Sequence, residues 1–396
     1  MTTHDTRGAA TRVPPTRTTC PACGGAELRS FFETAAVPVH CNILYPNSDA
    51  ARSAPRGDIV LAFCGACGLI FNRVFDPALT AYSESYENSL YFSTAFQEYA
   101  EWLTGHLVDA FDLHDKDLVE IGCGSAEFLN ALCERGGNRG YGFDPSAPPS
   151  RFPNVTIVPE FYGPEHAGQA ADAVLSRHVL EHVAEPAALL ADIRSAIEAR
   201  PDTRVYCEVP NAAFILRDLS VWDIIYEHPS YFTAESLTHV FAACGFTVTD
   251  TYTAFHDQFL AVEALPVATT PPGPRLDALA ALVDRFGEAQ KDKVEHWEER
   301  CTQWHQAGTA VALWGAGSKG VTFLNMVRGA NRIQAVVDIN PRKHGKSVPG
   351  TGQVVIGPDD LVDSPPDVVL VMNPIYRDEI TGILAELGIT ADVEVI

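Results

Sequence analysis

The stretch Asp117–Gly136, DLVEIGCGSAEFLNALCERG, restricts the fold more than any other part of the chain. Leu118 to Ile121 read as a buried strand, Gly122-Cys123-Gly124 as a tight turn, and Ala126 to Cys133 as a helix. A strand that feeds a helix through glycines is the first crossover of a doubly wound α/β sheet, where backbone can approach a ligand closely. RGYGFDPS then supplies a second strand ending in Asp144, about twenty residues on, where a carboxylate can accept hydrogen bonds from two ribose hydroxyls. The dinucleotide fingerprint Gly-x-Gly-x-x-Gly is not completed. Its sixth position is Glu127, which would oppose a pyrophosphate.

With 396 residues the chain is too long for one small core. Residues 1–18 are a polar tail and 19–76 hold two cysteine pairs. Over residues 77–265, short apolar strands alternate with amphipathic helices, the pattern of a parallel sheet covered on both faces. Residues 266–275 are a Pro-rich linker, and 276–396 open with a long helical stretch to about His305. That last segment repeats the strand, Gly-turn, helix theme in VALWGAGSKG, with AVVDIN and DVVLVMN as further strands. The expected fold is a Rossmann-like α/β core between a small N-terminal module and a second Rossmann-like domain.

The formal net charge of -23 repels phosphate backbones, so nucleic acid is not an expected partner. No apolar run approaches the ~20 residues of a membrane span, and the N-terminal residues lack the apolar centre of a secretory signal. A cytoplasmic address is the default expectation.

Of ten cysteines, four form the pairs Cys20/Cys23 and Cys64/Cys67, in CPACGG and CGACGL. A Cys-x-x-Cys turn places two thiolates on one tetrahedral ion, and two such turns close a four-cysteine site. Two unrelated pairs, or a redox pair on a thioredoxin-like helix, are the alternatives. Duplication, the glycine after each pair and the absence of a βαβ context favour Zn2+, in a closed structural role.

Two histidine-bearing segments follow later strands. SRHVLEHV carries His178 and His182, at the carboxyl edge where open α/β sheets bind ligands. Their i, i+4 spacing could mimic a metal pair, but Glu181 is not placed as in His-Glu-x-x-His and no third ligand is evident, so no metal is expected there. VWDIIYEHPSYFT sets Glu227-His228 among aromatic residues, and Pro229 stops any regular element. A buried structural pair beside the proline is the alternative to a catalytic one.

The run Glu120-Ile-Gly-Cys-Gly resembles motif I of class I S-adenosylmethionine-dependent methyltransferases, and the order continues with ADAVLSRHVLEHV and RVYCEVPN as fourth and fifth strands. The resemblance implies that Glu120, Gly122, Gly124 and His178 border the cofactor and that Asp144 holds its ribose. Ala126 stands where many members have a third glycine, which would narrow the methionine pocket. Nearly the whole chain after the tail is similar to the sugar C-methyltransferases of antibiotic deoxysugar pathways. Those enzymes methylate the carbon next to a 4-keto group of a nucleotide-linked hexose, with a histidine base in a Glu-His-x-Ser-Tyr-Phe segment. By position, His228 becomes the base and Glu227 its orienting partner or a sugar contact; Tyr82 and Tyr86 fall at the cofactor and substrate entrance. Ile225 replaces the tyrosine found three residues before the base, the chain's own tyrosine being Tyr226, and Pro229 is a further departure.

Imidazole suits proton abstraction next to a ketone, since its pKa lies near operating pH. Aromatic residues such as Tyr226, Tyr231 and Phe232 would exclude water and hold a sugar face. In the C-terminal segment, Ser318 and Lys319 at a helix start can receive an anionic group, and Asn373 and Tyr376, at a later strand end, line the same crevice. Asp338 ends its second strand. The leading expectation is C-methylation of a nucleotide-linked keto-sugar. The rivals are O- or N-methylation of another metabolite, with His178 or His228 acting on a hydroxyl or amine, a zinc-ribbon ligand sensor without catalysis, and an oxidoreductase using the C-terminal Gly loop. Acceptor, nucleotide and oligomeric state are not legible.

Overall fold

A computed structural model describes residues 16–80, 90–268 and 273–396. Tyr82 and Tyr86 lie outside the described residues.

The N-terminal module is an antiparallel sheet of β1 (Leu28–Pro38), β2 (Arg56–Cys64) and β3 (Ile70–Asn72). The central sheet contains β4 (Asp117–Ile121), β5 (Arg139–Phe143), β6 (Val155–Val158), β7 (Ala173–Arg177) and β8 (Arg204–Pro210). A two-residue strand, β9 (Ser230–Tyr231), leaves this region and pairs with β3 instead, as the fourth strand of the N-terminal sheet. β10 (Thr247–Ala254) and β11 (Phe259–Leu265) then return to the central sheet as antiparallel edge strands.

The order across the central sheet is β10-β11-β8-β7-β4-β5-β6. From β4 the chain winds outward to β5 and β6, then crosses to β7 and β8 on the other side. The switch point therefore lies between β4 and β7, and ligands of such sheets bind beyond the strand ends there. This is the doubly wound α/β core expected for residues 77–265, extended by an antiparallel edge. Apolar side chains cover both faces, with Val119, Val174 and Val205 toward one layer and Leu118, Leu175 and Tyr206 toward the other.

The third sheet is wholly parallel and comprises β12 (Val311–Trp314), β13 (Ala335–Val337), β14 (Val355–Ile356), β15 (Val368–Val371) and β16 (Asp392–Val395). Its order β14-β13-β12-β15-β16 places a second switch point beside β12. The 31-residue helix Asp277–Ala307 precedes it and packs on the N-terminal module. Phe286 meets Phe31 and Phe32 with ring centroids 6.0 Å apart, and Arg29 pairs with Asp284. The module and the C-terminal domain thus share one hydrophobic core, joined through Trp222, whose ring lies 4.9 Å from that of Phe323.

The aromatic segment Val221–Tyr226 is not a strand: Val221–Asp223 form a 3-10 turn and the rest runs as a loop to β9. Likewise, Leu180–His182 form a 3-10 turn rather than a longer helix. No helix among the described residues is long and apolar enough to cross a membrane.

Candidate active site

The two switch points face each other across a cavity of about 810 Å³. On the core side, Gly122 and Gly124 have φ of +71° and +51°. A Cβ on Gly122 would strike Val179 Cγ2 at 2.2 Å, whereas one on Gly124 would enter open space. The Gly124 N–H donates to Asp144 Oδ2 at 3.1 Å, and Asp144 Oδ1 accepts the Ser146 N–H and hydroxyl, each at 2.8 Å. Glu120 is buried, its Oε2 has no hydrogen-bond partner, and burial raises it to about 8 against the pull of Arg177. All four residues line the cavity. An open glycine turn, an orphaned carboxylate oxygen and an acid after the second strand fit S-adenosylmethionine, which carries an ammonium and ribose hydroxyls.

Ala126 corrects one expectation. It takes the left-handed conformation at φ +63° and is buried in the core with Leu118 and Phe128, so its methyl group does not line or narrow the cavity.

Beyond β7 and β8 lies a charged cluster. Glu208 is 0% exposed, accepts Arg177 Nε–H and the Tyr206 hydroxyl at 2.9 Å each, and bonds the Tyr99 hydroxyl. Burial opposes its charge, yet Arg177 and His178 hold it well below the usual carboxylate range. His178 sits between two acids, Nδ1 3.4 Å from Glu181 and Nε2 3.2 Å from Glu208. Burial works against its proton, but these carboxylates prevail and raise it to about 9. Its φ of +53° is strained for a residue with a side chain, and its N–H is fixed on the Glu208 carbonyl at 2.9 Å. At neutral pH His178 is a cation in a salt-bridge network. Arg177 and Glu208 are site residues that the sequence reading does not name, and Glu181 enters it only as misplaced for His-Glu-x-x-His; the signal for the first two is charge inside apolar strand ends, in VLSR and VYCEVP.

His228 lines the cavity with its ring 4.6 Å from that of His182, edge to face. Burial, then the nearby His182 and His178, push it well below the ordinary imidazole range, so its ring is neutral. Glu227 points the other way. Its carboxylate accepts the Cys41 N–H at 2.7 Å, lies 3.3 Å from His40 Nδ1, and does not reach the cavity. Only its main chain serves the site, since the Glu227 carbonyl accepts His182 Nδ1–H at 2.9 Å.

The structure also moves the expected aromatic wall. The Tyr226 ring packs over Gly57, where a Cβ would meet it at 2.2 Å, and its hydroxyl bonds the Asp76 main chain. The Tyr231 hydroxyl is spent on Ile225 N–H and carbonyl, each at 3.0 Å, and Phe232 is wholly buried. All three hold the His228 loop in place. Other aromatic residues border the cavity, among them Tyr91, Phe128, Phe214, Phe255, Phe259 and Trp314.

Ser318, Lys319, Asn373 and Tyr376 line the cavity's far side. Lys319 pairs with Asp223, and Asn373 exchanges two amide hydrogen bonds of 2.9 Å with Gln258, tying the two sheets together. Asp338 is held by the N–H groups of Ala316 and Asn340 and by Lys343 Nζ at 3.0 Å, which leaves the acid at the second strand committed to protein partners.

The four cysteines of the paired motifs converge outside this cavity. Sγ atoms of Cys20 and Cys67, and of Cys23 and Cys64, stand 3.6 Å apart. Four thiolates at about 2.3 Å from a tetrahedral ion would lie about 3.8 Å from each other, so the set fits Zn2+. Gly24 and Gly68, with φ of +72° and +81°, close the two knuckles.

Residues 91–251 match the Methyltransferase domain family and residues 277–390 the C-methyltransferase C-terminal domain family. The chain is an S-adenosylmethionine-dependent methyltransferase. Along its length it is similar to the C-methyltransferase NovU of Streptomyces niveus, 26% identical over 393 residues, which cover 91% of this chain and 90% of that protein. Among solved structures it is similar to the 1,6-didemethyltoxoflavin-N1-methyltransferase of Burkholderia thailandensis, at a TM-score of 0.34 and 17% identity, over 44% of this chain and 81% of that one. The magnesium protoporphyrin IX methyltransferase of Synechocystis PCC 6803 aligns at a TM-score of 0.34 and 16% identity, over 45% of this chain and 88% of that one.

Proposed function

We propose that the protein methylates the carbon next to the keto group of a nucleotide-linked sugar, with His228 as the base. The observation that carries this reading is a neutral imidazole on the wall of one cavity whose ends are the Gly122–Gly124 turn and the Gly315–Lys319 turn. The methyl donor and the anionic nucleotide portion of the acceptor can then occupy the two ends at once. The likeness to a C-methyltransferase over most of the chain supports carbon as the acceptor atom.

His228 takes the proton from the carbon, and the bonding pair remains on that carbon and its carbonyl oxygen. His228 is unprotonated over the neutral range and so free to accept. Burial and its histidine neighbours hold it below the match to operating pH expected from the sequence, which lowers its strength as a base. S-adenosylmethionine, held by Gly122, Gly124, Glu120 and Asp144, supplies a methyl group on a cationic sulfur. Phe255 and Phe259 keep water from the reacting carbon. Ser318 and Lys319 receive the anionic portion at the start of the helix Ser318–Met326. Zn2+ on Cys20, Cys23, Cys64 and Cys67 is structural: it fixes the module on which Glu227 and β9 are anchored.

Incubation with methyl-labelled S-adenosylmethionine and a 4-keto nucleotide sugar tests this. Label on the sugar carbon is expected, and deuterium from D2O should enter that carbon without methyl transfer. Label on oxygen, nitrogen or nowhere would sink it, and His228→Ala turning over like the wild type would remove the base.

A further inference from the structure

Glu181 is 2% exposed, and neither of its carboxylate oxygens has a hydrogen-bond partner. Its nearest charged neighbour is His178, 3.4 Å from Oε1, and the side chain borders the cavity. The His178 imidazolium faces Oε1 alone, which leaves Oε2 without a polar partner; that is costly, and a bound cation is one way to satisfy it. Two imidazoles stand beside it. The Glu227 carbonyl can only accept, so His182 Nδ1–H donates to it and Nε2 is the ring nitrogen left to face an ion. A histidine whose second nitrogen donates to a main-chain carbonyl is the arrangement found in metal-ligating imidazoles. His228 lines the same cavity, its ring 4.6 Å from that of His182. One ligand atom from each of Glu181, His182 and His228 lies within 4.8 Å of the others. Ligands about 2.1 Å from one ion sit about 3–4 Å apart, which small side-chain rotations reach.

We propose that Glu181, His182 and His228 form a site for a first-row divalent cation, with its open positions toward the cavity. One carboxylate and two imidazoles suit Co2+, Ni2+, Zn2+ or Fe2+ rather than the oxygen-loving Ca2+. The sequence argument against a metal at SRHVLEHV lacked this third ligand, because His228 lies 46 positions after His182 and on a different element. Resting on the reading of His228 as base, the consequence is inhibition: a coordinated His228 has no lone pair for a proton, so occupancy and deprotonation exclude each other.

The test uses full-length protein with its cysteine site loaded with Zn2+, dialysed against a weak chelator and titrated with Co2+. Calorimetry should find one further equivalent, with weak visible bands free of thiolate charge transfer. Binding should weaken at least tenfold in both Glu181→Gln and His182→Gln, each matched to the wild type in melting temperature and zinc content. Methyl transfer should fall over the same Co2+ range and return with chelator. Absence of a further equivalent, a thiolate spectrum, or undiminished binding in both variants would overturn the site. Binding without inhibition would overturn its link to the base. The binding arm needs no turnover, so a wrong acceptor leaves the cation result standing.

Discussion

At the scale of single residues, the site separates two histidines that look alike in the sequence. His178 is held as a cation by two buried acids, while His228 is held neutral by burial and by its histidine neighbours. The sign of the first can be read in stability. An imidazole near 6.5 when unfolded and raised to about 9 when folded stabilises fully below pH 6.5 and loses that contribution as pH rises to 9, on the order of 3 kcal/mol. Glu120, neutral in the fold up to about 8, slopes the same way from the ordinary carboxylate range upward. Urea melts between pH 6 and 9 should therefore show falling stability, and His178→Gln should flatten the slope between pH 8 and 9. In turnover, His228→Ala should lose at least about a hundredfold, the lower end for general-base catalysis, with S-adenosylmethionine affinity kept. His228 was legible because an ionisable residue among aromatics needs an explanation. Arg177, Glu181 and Glu208 were not, since one charge at a strand end acquires its meaning only from partners elsewhere in the chain. Tyr226 and Tyr231 misled for a related reason: an aromatic residue in a loop reads the same whether its ring faces a ligand or a glycine.

At the scale of elements, the glycine-turn units were legible because strand, turn and helix are local patterns. Their strands appear where the apolar runs placed them, at Asp117–Ile121 and Val311–Trp314. The short 3-10 turns at Val221 and Leu180 carry no periodicity that a sequence could display. The turn before the helix Glu127–Gly136 holds Ala126 in left-handed geometry, a cost of about 1–2 kcal/mol that glycine avoids in part. Ala126→Gly relieves that strain but removes a buried methyl of about 0.8 kcal/mol, so denaturant titration should show a change under about 1 kcal/mol and cofactor affinity should be unchanged. The cysteine knuckles belong to this scale as well. Cys64→Ser, or stripping with a strong chelator, should release one Zn2+ and lower the melting temperature. Turnover should fall with it, because the sheet that the knuckles brace also receives β9, the strand just after His228.

At the scale of the molecule, the central and C-terminal sheets present their switch points to one cavity, and the N-terminal sheet braces the loop that carries His228. Lys319 crosses the gap between them by pairing with Asp223. If the proposed acceptor is right, Lys319→Ala should raise its KM about tenfold, the scale of one charge-assisted hydrogen bond, with a smaller effect on kcat. The order of domains could be read from the linker and the repeated Gly turns. Their shared core could not, because the contacts of Phe286 with Phe31 and Phe32 join residues more than 250 positions apart.

The pairing of Ser230–Tyr231 with Ile70 and Phe71 has a consequence for recombination between related enzymes. A crossover placed between the cysteine-bearing module and the central domain would look clean on a linear map. It would in fact separate a two-residue strand from its partner, and Glu227 from Cys41. Viable chimeras should inherit residues 19–76 and 221–233 from the same parent, so these distant segments are expected to travel as one heritable block.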